Sequence, residues 1–221
     1  MKMENPYSSG QYYKETYMKN QMSLKMSTRW MVNYYNVIKK IYPLIVLSKN
    51  NKILEIGSGF GGFINVLNDD GYINVSAADM SANIFSKEIK NKFIILDLLN
   101  IVDINEKFDI IFAFDVFEHI NNTAQVINNI SQLLNINGLI IFSVPYPVKK
   151  HLMDNYHTNM QYPNYYSNLF KQGGYELINM EDVSFCPFLW RLRLPIFYKY
   201  ISKNKFVISE TFFIFKKQSE I

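Results

Sequence analysis

Residues 53–63 read ILEIGSGFGGF, and no other run constrains the fold of this chain so tightly. Apolar, β-prone residues enclose a single acid, Glu55, and give way to glycines at 57, 59, 61 and 62. A short apolar strand that ends in closely spaced glycines is how an open α/β sheet brings its backbone against a nucleotide-like cofactor. The glycines fit two templates. Gly57, Gly59 and Gly62 match the dinucleotide pattern G-x-G-x-x-G, whereas Glu55, Gly57, Gly59 and Gly61 match an acid-x-G-x-G-x-G run.

The rhythm on either side of this loop decides the fold class. Trp30, Met31, Tyr34, Tyr35, Val37, Ile38 and Ile41 recur at three- and four-residue steps, which predicts an amphipathic helix within 11–47 that ends near Pro43. Strands are expected at 52–56, 74–78, 93–96, 108–112 and 139–144, alternating with helices at 62–70, 81–89 and 123–134. Thr123 is the expected N-cap of the last of these helices, and Asn137-Gly138 its stop. The fourth strand is continuously apolar, as a strand buried on both faces of a parallel sheet must be. After Pro147 come a loop holding His151 and His157, a helix over 164–172 and strands over 175–183 and 207–216. Alternation at this spacing means βαβ units with right-handed crossovers. The expectation is one α/β domain, a Rossmann-like doubly wound sheet.

Bulk properties exclude several other classes. A chain of 221 residues with 48% hydrophobic and 19% charged residues can bury a full core, so wholesale disorder is excluded. The net charge of +4 is spread along the chain, which argues against a nucleic-acid partner. One cysteine, Cys186, allows no internal disulfide and fits a reducing cytoplasm. The polar start has no secretory apolar region, and no apolar run reaches the roughly 18 residues of a membrane span. A soluble, cytoplasmic protein is expected, as monomer or homodimer.

Ligands of an open parallel sheet sit beyond the carboxyl ends of its strands. Acids stand there repeatedly: Glu55 in strand one, Asp79 after strand two, Asp97 after strand three and Asp115 after strand four. Asp79 lies 20 residues after Gly59, the spacing at which an acid reaches ribose hydroxyls, and a carboxylate accepts from both vicinal hydroxyls.

The segment 108–120, FDIIFAFDVFEHI, resolves the two templates. With the glycine run, Asp79 in AADMS, Asp97 in ILDLL and the NGLIIFSVP strand, it resembles the class I S-adenosylmethionine-dependent methyltransferases that act on small molecules. The resemblance covers 50–145 well and the remainder loosely. It implies a cofactor-binding core over 50–145, a helical N-terminal cap over 1–47, and an acceptor loop with C-terminal strands over 146–221, the last strand antiparallel. Gly57, Ser58 and Gly59 would admit the methionine part of the cofactor, and Glu55 would support that loop or the amino group. Asp79 would hold the ribose, Met80 would pack on the adenine, and Asp97 would accept from the adenine amino group with Leu98 beside it. Phe114 would meet the methionyl portion.

His119 and His157 are the candidate catalytic residues, since imidazole titrates near neutral pH and could take a proton from the acceptor. For His119 a structural role at a helix start is the competing reading; for His157, an ordinary surface loop. With no H-x-x-x-H or C-x-x-C spacing, no metal site is expected. The acceptor is expected to be a small molecule: a sugar, a glycan precursor, a lipid-like compound or a secondary metabolite. By the same resemblance, tyrosines 7, 12, 13 and 17 would belong to a lid over the cofactor, with an ordinary packing helix as the competing reading. The aromatic run 185–201 could line an acceptor channel, form a dimer face or touch a membrane surface, though a buried cover over the sheet is the simpler reading. A nicotinamide-dependent oxidoreductase using the same glycines, and a non-catalytic cofactor-binding relative, are the alternatives.

Overall fold

The computed structural model describes residues 23–43, 48–82, 85–101, 104–153, 156–185, 197–199 and 209–218. The expected lid at 6–17, Cys186, and most of the run 185–201 lie outside these residues. Among them are helices α1 (Leu24–Ile41), α2 (Gly62–Asp69), α3 (Thr123–Leu133), α4 (Lys149–Leu152) and α5 (Pro163–Gln172). The strands are β1 (Ile53–Ile56), β2 (Val75–Asp79), β3 (Lys92–Ile95), β4 (Phe108–Phe114), β5 (Leu134–Pro145), β6 (Tyr175–Phe185), β7 (Phe197–Lys199) and β8 (Glu210–Lys217).

All eight strands form one sheet in the order β3-β2-β1-β4-β5-β8-β6-β7. From β3 to β5 every pairing is parallel. The final strand β8 runs antiparallel between β5 and β6, as the expected antiparallel last strand requires. The edge strand β7 pairs antiparallel with β6 and was not expected.

Alternation along the central strands builds two cores. Ile110, Phe112 and Phe114 of β4, with Phe212 and Ile214 of β8, face Tyr34, Val37 and Ile38 of α1 and Phe63, Ile64 and Leu67 of α2. Ile111 and Ala113, with Phe213 and Phe215, face Val126, Ile127 and Ile130 of α3 and Tyr166 and Phe170 of α5. A strand exposes successive side chains to opposite faces, so both faces must be apolar when helices cover both. That is the doubly wound arrangement, and it leaves the carboxyl edge of the sheet for ligands.

Local differences have physical causes. The described residues of 85–89 make turns and no helix. Phe85 and Ile89 fold inward there, against the space beside Gly61 that a side chain would fill. The N-cap of α3 is Asn122, whose side chain accepts from the Gln125 amide. Thr123 is the first helical residue, and its hydroxyl donates back to the Ile120 carbonyl at 3.3 Å. Helix α3 passes straight into β5 at Leu134, so Asn137-Gly138 bends the strand where a helix stop was expected; Asn137 has φ of 64°.

Candidate active site

The glycine loop is built by backbone conformation. Gly57, Gly59 and Gly61 have φ of 71°, 49° and 81°, a region that costs a side-chain-bearing residue about 1–2 kcal/mol. The Ser58 amide donates to the Ala78 carbonyl at 3.1 Å, tying the loop to β2. The Gly59 amide donates to Asp79 Oδ2 at 3.0 Å, and the Ser81 amide to Asp79 Oδ1 at 3.3 Å. Glu55 and Ser58 are buried behind the loop, and Glu55 Oε2 and Ser58 Oγ have no hydrogen-bond partner among the described residues. Burial, and then the charge of Asp79, push the Glu55 carboxyl well above its usual range.

The neighbouring strand ends supply the next wall. Asp97 closes its own turn, accepting from the Leu99 amide and the Asn100 side chain, both at 2.9 Å. Each oxygen keeps a second lone pair. Leu98 is buried, and its carbonyl accepts from Asn129 at 2.7 Å. Met80 is half-buried just past β2. The Phe114 ring turns into the α1-side core, 4.8 Å from Phe63 and 5.3 Å from Tyr34 between ring centres.

Past the end of β4 lies a cluster of acids and imidazoles. Asp115 has φ of 54°, a sparsely populated conformation for a non-glycine residue and one that gathers at functional sites. Tyr34 and Ser143 fix it, their hydroxyls donating to its two oxygens at 3.0 Å each. Glu210 opens β8 opposite Pro145 and Val183 and is buried. Burial, and then the charge of Asp115, push the Glu210 carboxyl well above its usual range. Burial also raises Asp115, against the hydrogen bonds from Ser143 and Tyr34.

A 3-10 turn, Phe117–His119, then presents Glu118 and His119. Glu118 is fully buried, with its Oε1 3.7 Å from His119 Nε2. His157 arrives from the loop between α4 and α5, with its ring centre 5.1 Å from that of His119. That loop is pinned in place: the Asn159 amide donates to the Glu118 carbonyl, and its side chain to Ile120 and Thr123, all at 2.8 Å. The structure therefore brings His119 and His157 together, 38 positions apart in sequence. Of the other participants, Asp115 was visible as a strand-end acid. Tyr34, Ser143 and Glu210 carried no signal that set them apart from ordinary core and strand residues.

The sequence pattern of the family described as "Methyltransferase domain" matches residues 32–180, from α1 into β6. The chain belongs to the methyltransferase domain family. This methyltransferase is 25% identical over 170 residues to an uncharacterized protein of Methanocaldococcus jannaschii, a match that covers 72% of each chain. It is 28% identical over 138 residues to the ubiquinone biosynthesis O-methyltransferase of Rickettsia canadensis, covering 59% of this chain and only 54% of that relative. Among solved structures, an S-adenosylmethionine-dependent methyltransferase from Archaeoglobus fulgidus superposes with a TM-score of 0.63 at 17% identity, covering 86% and 94% of the two chains. One from Clostridium acetobutylicum gives 0.62 at 14%, covering 96% and 98%. At such identities the structural likeness is one of fold. Family and fold together make the protein a class I S-adenosylmethionine-dependent methyltransferase, and the dinucleotide reading of its glycines gives way. Among the described residues no helix is long and apolar enough to cross a membrane.

Proposed function

We propose that this methyltransferase methylates an oxygen or nitrogen of a small-molecule acceptor seated against the carboxyl ends of β4 and β5 and the amino end of β8. The observation that carries this reading is the convergence of Asp115, Glu118, His119 and His157 immediately beyond β4, next to the glycine loop: Val116 lies directly against Gly57. When bound, S-adenosylmethionine supplies an electrophilic methyl group on a sulfonium. The cradle suits it. The buried Glu55 Oε2 and Ser58 Oγ have capacity to accept from an ammonium group, and the absence of a Cβ at Gly57 lets Val116 close directly against the loop. Gly57, Ser58 and Gly59 would hold the methionine end, with Glu55 behind them and Phe114 nearby. Asp79 would accept from the ribose, while Met80, Asp97 and Leu98 would bound the adenine.

The chain's own work is alignment of donor and acceptor and exclusion of water. For a hydroxyl or a protonated amine a proton must also leave, and the imidazoles of His119 and His157 stand where they would promote its departure. The likeness to a ubiquinone biosynthesis O-methyltransferase supports oxygen as the acceptor atom. A cytoplasmic setting accords with the single cysteine.

Two measurements test the proposal. Isothermal titration should give one S-adenosylhomocysteine per chain. Asp79→Ala should weaken this at least tenfold, because it deletes both the ribose acceptor and the anchor of the Gly59 amide. Tritiated-methyl transfer across phenol, polyol and amine acceptors should find a turnover that His119→Ala and His157→Ala reduce. Unchanged turnover in both variants would remove the imidazoles from the mechanism.

A further inference from the structure

We infer that Glu118, His119 and His157 form a divalent-cation site, with one carboxylate and two imidazoles taking an ion such as Zn²⁺, Mn²⁺ or Co²⁺. One ligand atom from each residue lies within 4.8 Å of the others. No local spacing reveals this set, because His157 is contributed by a different loop.

The tautomers support the assignment. His119 Nδ1 lies 2.8 Å from the Tyr156 carbonyl, and His157 Nδ1 lies 2.9 Å from the His151 carbonyl. A carbonyl only accepts, so in the neutral imidazole Nδ1 carries the proton and the lone pair is on Nε2. A backbone carbonyl behind the distal nitrogen is the usual way a metal-binding histidine is oriented. The gap between His119 Nε2 and Glu118 Oε1, 3.7 Å, is too long for a hydrogen bond. It is close to the separation of about 3.4 Å between two ligands at tetrahedral angles around an ion bonded at about 2.1 Å.

Charge points the same way. Asp115 and Glu210 add two further carboxyls, Glu210 interacting electrostatically with Glu118 and Asp115 with His157. Buried acids crowded together are costly to ionise, and a bound cation offsets that cost. Two imidazoles with one carboxylate suit borderline transition ions better than Mg²⁺ or Ca²⁺, which take oxygen ligands. Three protein ligands also leave a position open, as catalytic zinc sites do.

The role of the cation rests on the proposed function for the place of the acceptor. An acceptor hydroxyl at the open position would become more acidic and release its proton to water. Its oxygen lone pair would then form the bond to the methyl carbon as the carbon–sulfur bond breaks, with that electron pair going to sulfur. On this account the histidines act by holding the ion and take up no proton themselves.

The test uses the full chain, stripped with chelator and titrated with Co²⁺ and Zn²⁺ without cofactor or acceptor. One ion per chain is expected, with visible Co²⁺ absorption. Affinity should fall at least tenfold in His157→Ala and in Glu118→Gln, with folding checked by circular dichroism. His151→Ala keeps the backbone carbonyl behind His157 and should bind as the wild type does. Absence of stoichiometric binding, or equal binding by folded His157→Ala, overturns the site. Methyl transfer that persists undiminished in chelator would also overturn it while leaving the proposed function intact. Stoichiometric binding to a chain that methylates no acceptor would support the site and count against the acceptor reading.

Discussion

A Cβ added at Gly57 would stand 2.5 Å from Val116 Cγ2, on a backbone whose φ of 71° already disfavours any side chain. Gly57→Ala therefore has two penalties, conformational and steric. The conformational part alone costs about 1–2 kcal/mol. Urea unfolding should show at least that loss, and S-adenosylhomocysteine affinity should drop because the loop must shift. Val116→Ala removes the colliding methyl, so the double variant should recover part of the steric share and none of the conformational share. A single variant as stable as wild type would mean the loop tolerates the methyl group, against the cradle described. The glycines and strand-end acids were legible because a glycine spacing is local. Tyr34, Ser143 and Glu210 were not, since their approach to Asp115 depends on how α1, β5 and β8 pack, and each looks unremarkable in its own element.

Helix α3 and strand β5 show the same division among elements. The apolar steps of the helix and the run of the strand were legible; the junction between them was not. Its last carbonyls are met from a distant part of the chain: the buried Lys217 ammonium of β8 donates to Ser131 O at 2.7 Å and to Leu134 O at 3.1 Å. A cation at a helix carboxyl end is favoured by the helix dipole and satisfies carbonyls that the helix itself cannot. With that tertiary partner the helix ends without Asn137-Gly138, and the two residues are left to bend β5. Lys217→Met keeps the aliphatic volume but removes the charged donor from both carbonyls, leaving Ser131 O with the Leu134 amide alone. It should cost about 1–3 kcal/mol, the usual range for losing hydrogen bonds from a buried charged donor. Thermal unfolding would measure it, and a variant matching wild type would assign the capping of α3 to water or other groups.

For the whole molecule, the doubly wound, mainly parallel character of the sheet was the most legible feature, because alternating strands and helices joined by right-handed crossovers leave few other architectures. The mouth of the site was the least, being assembled from α1, β4, β5, β8 and the loop before α5. That assembly buries Glu55, Asp115 and Glu210, each with its carboxyl pushed upward first by burial. In the unfolded chain such groups titrate near pH 4. Between there and their folded values the native state holds more protons than the unfolded one, so stability must fall as pH rises. The contribution is complete below the unfolded values and is lost as pH climbs through the folded ones. Asp70 has the opposite sign, held down by Lys49 and then Tyr35, but its window lies below the ordinary carboxyl range. Chemical unfolding from pH 5 to 8 in chelator should therefore show Glu55→Gln and Glu210→Gln gaining on wild type as pH rises. For each carboxyl still protonated in the fold, the gain is up to about 1.4 kcal/mol per pH unit. Glutamine does not titrate, so the variant-minus-wild-type difference isolates one group from the histidines nearby. Parallel curves across that range would mean these carboxyls ionise at ordinary values despite their burial, and would remove the electrostatic strain placed here at the mouth of the site.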